Sequence, residues 1–292
     1  MRYSYKSSKL APLKKLLKLL PDKPYLRIKY YFCCREWLSF KNPKTYNAKL
    51  QWLKVYDRDP RYIPMVDKYE VKNLVGSKIG FEHIIETYGV WESFDEIDFS
   101  KLPNQFVLKC THDSGSVVIC KNKSSFDADA AKEKLEHALK FNVFSDGREW
   151  PYKNVKPRII AEAYMEDVSV GELRDYKFFT FGGEPKYVHI VSNRQNPNEE
   201  TYGDFFDMDY QHVELTIGHN NAPVLPQKPV NFGKMVEYAR LLAQGTKQLR
   251  VDFYEVDGQL YFGELTFFHD SGFGDILPES WNRKLGDLID LS

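Results

Sequence analysis

The second half of the chain consists mainly of short apolar runs separated by turn residues. Two of these runs, 173–181 and 186–191, are joined by the turn Gly182-Gly183-Glu184-Pro185, and an earlier pair, 106–108 and 117–119, encloses a polar loop. Short turns can join only antiparallel strands, because parallel strands need a crossover of a dozen or more residues. The pattern therefore predicts antiparallel sheets, which restricts the chain to few fold classes.

Much of the remaining chain has helical character. We predict helices in five segments: 10–20, 37–57, 66–75, 127–141 and 232–242. The segment 192–230 has no clear period and is rich in Asn, Pro and Gly, so we expect one or two long loops there. Helices mixed with hairpins favour an α+β fold over a doubly wound parallel sheet.

Charge is unevenly distributed along the chain. Residues 1–40 contain ten basic and two acidic residues and so carry +8, although the whole chain is neutral. The predicted helix 10–20 has apolar and basic positions, so it could contact an anionic membrane surface or cap the core with its lysines in water. No apolar run of about 20 residues could cross a bilayer. We expect a cytoplasmic protein, at most peripheral at the inner membrane surface, without a nucleic-acid partner because residues 41–292 are net acidic.

The last predicted hairpin, which turns at Asp257-Gly258, carries two acids that could share a metal ion. Strand alternation puts Arg250 and Asp252 on one face, and it does the same for Glu264 and Thr266 on the partner strand. A two-residue turn would separate the two acids, whereas a three-residue loop would place them on one face, roughly 7–8 Å apart. A metal site shared by both acids therefore depends on the odd-length loop. Carboxylates without His or Cys partners favour Mg²⁺, and the alternative is a surface hairpin with solvated acids.

Two lysines are candidates for binding phosphate groups. Lys109 ends an apolar strand, and Lys177 lies two residues after Asp175, on the same face of its strand. A lysine beside a buried strand is costly unless an anion pairs with it. We therefore expect both lysines to face an anionic ligand, with Asp175 as the alternative partner of Lys177. Glu162 is likewise a charge within an apolar run.

The order of these features resembles the ATP-grasp superfamily. A strand lysine precedes a flexible loop, a strand ends in Glu-x-x-Met, a second strand lysine follows, and the last hairpin contains Arg-x-Asp and Glu-x-Thr. From about Trp37 to the C-terminus, the chain resembles more closely the TupA-like ATP-grasp family of polysaccharide and teichuronopeptide biosynthesis. The segments that carry this resemblance are Tyr46–Leu53, Asp67–Tyr69, Gly89–Trp91, Phe106–Gly115 and Glu264–Thr266.

The resemblance implies two α+β lobes whose antiparallel sheets clasp ATP, preceded by a helical N-terminal region. The implied boundaries are 1–65 for that region, 66–165 for the N-terminal lobe and 166–292 for the C-terminal lobe. The residues implied to contact ATP are Lys109, Ser114, Gly115, Glu162, Ala163, Tyr164, Met165, Glu166, Asp167 and Lys177. Those implied to hold Mg²⁺ are Asp252, Glu264 and Thr266, although many ATP-grasp enzymes have Asn at the position of Thr266.

The chemistry implied is the ATP-dependent joining of a carboxylate and an amine through an acyl phosphate. Catalytic roles fall to Arg250, Lys177 and Asp175, and the acceptor side to Arg194, His269, Ser271 and Gly272. A uronic acid of a capsular or cell-wall polysaccharide is the expected carboxylate, and an amino acid or other amine is its partner. Two alternatives stay open: a glycosyltransferase of polysaccharide assembly, and a catalytically degenerate nucleotide-binding interaction module.

Overall fold

The computed structural model describes residues 16–167, 172–194 and 199–292. The helices are α1 Asp22–Cys34, α2 Tyr46–Tyr56, α3 Tyr62–Val66, α4 Glu70–Ile79, α5 Ala128–Leu139, α6 Val143–Gly147, α7 Phe232–Leu242 and α8 Ser280–Asp287. The strands are β1 Thr87–Trp91, β2 Phe106–Cys110, β3 Val118–Cys120, β4 Ile159–Ala163, β5 Asp175–Phe181, β6 Glu184–Ser192, β7 Tyr202–Phe206, β8 His212–Val213, β9 Thr216–Ile217, β10 Gln248–Val256, β11 Gln259–Thr266 and β12 Ile276–Leu277.

The strands form two large antiparallel sheets, as the turn pattern predicts. The N-terminal sheet has the order β1-β4-β2-β3, and the C-terminal sheet has the order β11-β10-β5-β6-β7-β8. A small third sheet pairs β12 with β9. All strand pairs within these named sheets are antiparallel, and the α+β fold class is confirmed. Among the described residues, no helix has the length and apolar character needed to cross a bilayer.

The N-terminal sheet buries one face and leaves the other partly open. On β2 the side chains of Phe106, Leu108 and Cys110 are buried, whereas the residues between them are half-buried. The buried face packs in one cluster with Leu135 of α5. Helix α5 begins at an Asp127 cap, whose carboxylate accepts a hydrogen bond from the Ala130 amide at 2.9 Å. Strand alternation therefore turns the side chain at position 109 away from the core.

The C-terminal sheet packs one face against α7. The buried residues of this helix are spaced three, four and three apart, which gives a single apolar stripe of Phe232, Met235, Ala239 and Leu242. Phe232 contacts Phe178 of β5, with ring centroids 5.8 Å apart. Full burial of each large side chain contributes roughly 1.5–3 kcal/mol. The opposite face of the same sheet carries Phe179 and Phe181 as well as polar groups.

Helices before the N-terminal sheet pack on the C-terminal sheet as well. Tyr46 of α2 lies 6.4 Å from Phe179 and 6.3 Å from Phe181, measured between ring centroids. Helix α2 begins at Thr45, whose hydroxyl accepts a hydrogen bond from the Ala48 amide at 3.3 Å. Buried residues of α4 belong to the same hydrophobic cluster. The helices at 46–79 thus share one core with the C-terminal sheet.

The structure corrects several secondary-structure predictions. Strands β7, β8 and β9 lie within 192–230, so the expectation of long loops there was wrong. Only 46–56 is helical within the predicted helix 37–57, because Pro43 and the Thr45 cap fix a later start. Helices α1, α3, α6 and α8 were not predicted, and the helix predicted over 66–75 instead begins at Glu70 and continues to Ile79. The predicted helix 10–20 falls mostly outside the described residues, which begin at 16.

Candidate functional site

One row of polar side chains crosses four strands of the C-terminal sheet. Glu264 is directly opposite Asp252, Asp252 is opposite Lys177, and Lys177 is opposite His189. Opposite residues on neighbouring strands point to the same face of a sheet, and the strands are roughly 5 Å apart. The row therefore lies on the face away from α7. We call these four residues the charged row.

The turn between β10 and β11 has two residues, not the three on which the shared metal site depended. Asp257 and Gly258 both have positive φ, 49° and 75°, and Val256 pairs with Gln259. This geometry suits the twist of a tight hairpin, in which Asp-Gly is a favoured pair. By parity alone, such a turn would place the two acids on opposite faces.

A β-bulge between the turn and the two acids returns Asp252 and Glu264 to one face of the sheet. Phe253 pairs with Phe262 and Asp252 pairs with Glu264, so Gly263 is the extra residue. The two acids are therefore direct partners across the hairpin rather than diagonal neighbours. A Cβ atom on Gly263 would lie 3.1 Å from the backbone oxygen of Asp252, and glycine relieves this crowding.

Cations surround the acidic pair. Arg250 Nη2 lies 2.7 Å from Asp252 Oδ2 and 2.6 Å from Glu264 Oε1, and its Nε lies 2.7 Å from Asp252 Oδ1. Lys177 Nζ lies 2.7 Å from Asp252 Oδ2 and 3.1 Å from Asp175 Oδ1. Arg250 Nη2 thus lies between the carboxylates of Asp252 and Glu264. The position between these two acids therefore favours a positive charge.

The two acids differ in their access to solvent. Asp252 is 1% exposed, whereas 42% of the Glu264 side chain is exposed. Burial alone would raise the pKa of Glu264, but Arg250, Lys177 and Lys68 outweigh it and lower the pKa to about 2. For Asp252, burial outweighs its cations and raises the pKa. Glu264 is therefore ionised at neutral pH and open to a ligand.

The donor set fits a hard cation such as Mg²⁺. Thr266 lies opposite Arg250, so its hydroxyl is on the same face as the two carboxylates. Within the described ranges, no group of three or more His, Cys, Asp and Glu residues is arranged around one metal position. Mg²⁺ does not require such a group, since it is commonly bound by one or two carboxylates together with substrate phosphates and water.

The N-terminal sheet contributes an ion-paired cluster around Glu162. Its Oε2 lies 2.5 Å from Lys109 Nζ, and its Oε1 lies 2.8 Å from Lys72 Nζ. Burial alone would raise the pKa of Glu162, but Lys109 and Lys72 outweigh it and lower the pKa. Lys109 is the next-to-last residue of β2, on the face away from the N-terminal core. Lys72 is on α4 and was not predicted.

The loop after Lys109 is fixed at its base and open at its tip. Ser116 Oγ donates to Asp113 Oδ1 at 2.6 Å and accepts from the Cys110 amide at 2.9 Å. Ser114 and Gly115 are exposed, and Gly115 has φ +102° with no atom within 4 Å of a Cβ position. This conformation is readily available only to glycine. Two adjacent backbone amides are thus presented at the tip of a loop.

Lys68 lies between the two sheets and was missed as a site residue. It donates a hydrogen bond to the Asp113 backbone oxygen. Its electrostatic partners include Glu264 on one sheet and Lys109 on the other, and burial lowers its pKa. The segment 67–69 marked this position in the sequence, but only the structure brings it between the two sheets.

The residues after β4 connect the two sheets. The Ala163 amide donates to the Glu86 oxygen at 3.0 Å. The Tyr164 hydroxyl donates to Glu166 Oε2 at 2.9 Å. Met165 is half-buried and Asp167 is buried. Ala163 thus ends the N-terminal sheet, and residues 164–167 follow it in the chain towards β5.

The acceptor-side candidates separate into two groups. His269 is joined to Arg250, with its Nδ1 2.7 Å from Arg250 Nη1. Arg194 Nη1 is 2.9 Å from Asp175 Oδ2, and 62% of the Arg194 side chain is exposed. These residues lie beside the charged row.

Ser271 and Gly272 instead pack on α2. Lys54 Nζ donates to Ser271 O at 2.7 Å and to Ser271 Oγ at 3.0 Å. Gln51 Nε2 donates to the Gly272 oxygen at 2.8 Å. Burial lowers the pKa of Lys54 to about 7. The structure thus gives these two residues packing partners that the sequence did not indicate.

Two antiparallel α+β lobes with lysines on both facing surfaces define the ATP-grasp class of fold. The sequence model of the family described as TupA-like ATPgrasp matches residues 48–290. The chain therefore belongs to the TupA-like ATP-grasp family.

Several solved ligase structures are similar to the chain at low identity. The L-amino acid ligase from Bacillus licheniformis is 12% identical over 77% of this chain and 49% of that chain, with a TM-score of 0.47. The D-alanine–D-alanine ligase from Helicobacter pylori is 15% identical over 85% and 70%, with a TM-score of 0.43. That from Bacillus anthracis, complexed with ATP, is 17% identical over 70% and 55%, with a TM-score of 0.41. The chain thus spans about half the length of the first protein, and no curated protein matches it.

Proposed function

We propose that the protein is an ATP- and Mg²⁺-dependent carboxylate–amine ligase. The observation that carries this proposal is the charged row, which places Glu264, Asp252 and Lys177 on one face of the C-terminal sheet. Lys109 on the N-terminal sheet and Lys68 between the sheets add positive charge opposite that row. Such an arrangement suits a triphosphate, whose charge must be neutralised during phosphoryl transfer. Membership of the ATP-grasp family supports the same assignment.

Different residues bind the phosphates, the metal ion and the nucleoside of ATP in this proposal. Lys109 and Lys177 bind the phosphate chain, and the exposed amides at Ser114 and Gly115 cover it. Glu264 and Asp252 would hold Mg²⁺, with Thr266 as a neutral ligand, and the bound ion would supply charge neutralisation during phosphoryl transfer. The nucleotide base and ribose lie along 163–167.

Arg250 and Asp175 act where the two substrates meet. A carboxylate oxygen of the substrate attacks the terminal phosphorus of ATP and releases ADP, and the amine then attacks the acyl phosphate and releases phosphate. Arg250 stabilises the charge of the transferring group, and Asp175 orients Lys177 and Arg194. No enzyme nucleophile takes part in this sequence.

We propose a uronic acid of a capsular or cell-wall glycan as the carboxylate, and an amino acid or other amine as the acceptor. Arg194 supports an anionic substrate, because its guanidinium is mostly exposed beside the charged row. The family assignment supports a role in polysaccharide biosynthesis.

A peripheral contact with the inner membrane surface belongs to the same proposal. Tyr31, Phe32 and Trp37 form an exposed aromatic patch, with Tyr31 stacked on Trp37 at 4.6 Å and 5.8 Å from Phe32. The first 40 residues carry +8, which complements an anionic surface. Sedimentation with anionic and neutral vesicles tests this contact. Wild type should sediment with the anionic vesicles and Trp37→Ala less so; equal sedimentation of both would contradict it.

The function is tested by ADP release from Mg²⁺-ATP with a matrix of uronic acids and amino acids. A productive pair should raise ADP release, and Glu264→Gln should lower it by about a hundredfold or more, the effect of removing one electrostatic group from a transition state. Glu133→Gln, an exposed acid on α5, is the matched control. Thermal stabilisation by a sugar nucleotide but not by Mg²⁺-ATP would instead favour a glycosyltransferase.

A further inference from the structure

A group of histidines lies at the end of the charged row, outside the residues assigned above to ATP. His189 is on β6, only 2% exposed, and its ring is stacked flat on Phe205 at 4.2 Å. The His269 ring is 6.2 Å from that of His189. A Cβ atom on Gly203 would lie 2.4 Å from His189 Nε2 and 3.3 Å from the Cβ of His219, which is exposed. His189 is thus the buried member of the group, and His219 is the exposed one.

Three ring nitrogens in this group are buried without a hydrogen-bond partner among the described residues. They are both nitrogens of His189 and Nε2 of His269. The nearest carboxylate oxygen to His269 Nε2 belongs to Asp270 and is 3.9 Å away, too far for a hydrogen bond. A buried polar atom without a partner is unfavourable, so three together indicate a place for a polar ligand.

The contact with Arg250 fixes the tautomer of His269. A guanidinium can only donate, so His269 Nδ1 must accept its hydrogen bond. The neutral ring then carries its proton on Nε2, which becomes a buried donor. His189 adds one donor and one acceptor in its neutral form. Burial and neighbouring cations lower the pKa of both histidines well below 6.5, so both are neutral at physiological pH.

The unpartnered atoms select a ligand group that both donates and accepts. A carboxylate could only accept and would leave the acceptor nitrogen of His189 unmatched. An ammonium could only donate, and Lys177 and Arg250 nearby disfavour a further positive charge. An uncharged amino group matches both requirements, and it is also the form in which an amine is nucleophilic.

We propose that His189 and His269 form the subsite for the uncharged amino group of the acceptor. This inference rests on the proposed ligase function and adds the amine position to it. His189 is directly opposite Lys177, so the subsite is one strand, roughly 5 Å, from the lysine assigned to the phosphates. An amino group bound there would lie beside the acyl phosphate that it attacks. A substrate hydroxyl has the same hydrogen-bonding pattern, and the experiment below separates the two.

Steady-state kinetics of His189→Phe test the subsite. Phenylalanine keeps the ring stacked on Phe205 and removes both nitrogens. With a productive uronic acid, the KM for glycine and for hydroxylamine should rise about tenfold, as expected for loss of the hydrogen bonds, with little change in the KM for ATP or the uronic acid. His189→Gln, which retains a donor and an acceptor, should recover part of the loss. His137→Phe, at an exposed histidine on α5, is the control, and circular dichroism verifies that each variant is folded.

A higher KM for the uronic acid with an unchanged KM for both amines would overturn the proposal in favour of a hydroxyl subsite. A binding measurement decides the question even if no pair of substrates releases ADP. In ¹⁵N-histidine spectra, methoxyamine, an uncharged amine without a hydroxyl group, should shift the ring resonances of His189 and His269, assigned by their loss in His189→Phe and His269→Gln. Absence of those shifts would refute the subsite, whereas absence of ADP release alone would refute only the ligase function.

Discussion

Glu162 is the residue whose loss should destabilise the N-terminal lobe most clearly. It is buried, and its two oxygens contact Lys109 at 2.5 Å and Lys72 at 2.8 Å. Glu162→Gln keeps the shape of the side chain but leaves both lysines facing a neutral amide. Removing one partner of a buried ion pair costs about 3–5 kcal/mol. We expect about 3 kcal/mol, the lower end, because 19% and 13% of the two lysine side chains remain exposed to water.

Thermal unfolding followed by circular dichroism measures this loss. At about 2 °C per kcal/mol for a chain of this size, Glu162→Gln should unfold about 6 °C below wild type at pH 7. Glu133→Gln, in the same lobe, should unfold with wild type. A decrease of less than about 1 °C for Glu162→Gln would refute the reasoning, because the cluster would then contribute no net stability.

The pH dependence gives the same prediction a second test. The two lysines lower the folded pKa of Glu162 below 4.5, the value expected in the unfolded chain. Its contribution is therefore fully present above pH 4.5 and is lost as the pH falls through the folded pKa. The gap in unfolding temperature between wild type and Glu162→Gln should be widest near pH 7 and should narrow below pH 4.5. A gap that widens on acidification would contradict the assignment.

Three further variants test other parts of the site. Gly263→Ala should lower kcat/KM at least about tenfold while the protein stays folded, because a Cβ there crowds Asp252 at 3.1 Å and disturbs the bulge; wild-type ADP release would contradict this. Gly115→Ala should raise the KM for ATP about fivefold, since φ +102° costs a non-glycine residue about 1 kcal/mol; an unchanged KM would show that the loop does not cover the phosphates. Lys54→Met should lower the free energy of urea unfolding by about 2–4 kcal/mol, because Ser271 loses its donor; a loss below about 0.5 kcal/mol, typical of surface changes, would contradict this.

Of the charged row, the sequence predicted Glu264, Asp252 and Lys177 but not the geometry that joins them, and His189 was missed. Strand alternation placed Arg250 with Asp252, but the number of residues in the turn could not be read from Asp257-Gly258 alone. Gly263 was the available signal, since an isolated glycine within a strand often marks a bulge. The two-residue turn alone would put Asp252 and Glu264 on opposite faces of the hairpin, and the bulge at Gly263 returns them to one face. A prediction that considers only the turn or only the bulge therefore places the two acids wrongly.

Long-range packing was the part that the sequence could not provide. The pairing of Lys72 with Glu162 and of Lys177 with His189 depends on which elements meet, and periodicity reports only local structure. Strand β7 was missed because Tyr202–Phe206 is a five-residue segment that contains Gly203 and Asp204, both depleted in strands.

The central claim is that the two sheets hold one nucleotide between them, with a lysine from each. Isothermal titration calorimetry with Mg²⁺ and a non-hydrolysable ATP analogue tests it without requiring the correct carboxylate or amine. Lys109→Met on the N-terminal sheet and Lys177→Met on the C-terminal sheet should each weaken binding about tenfold or more, equivalent to about 1.4 kcal/mol, while Glu133→Gln binds as wild type does. Undiminished binding by both lysine variants, or no binding by wild type, would contradict the account.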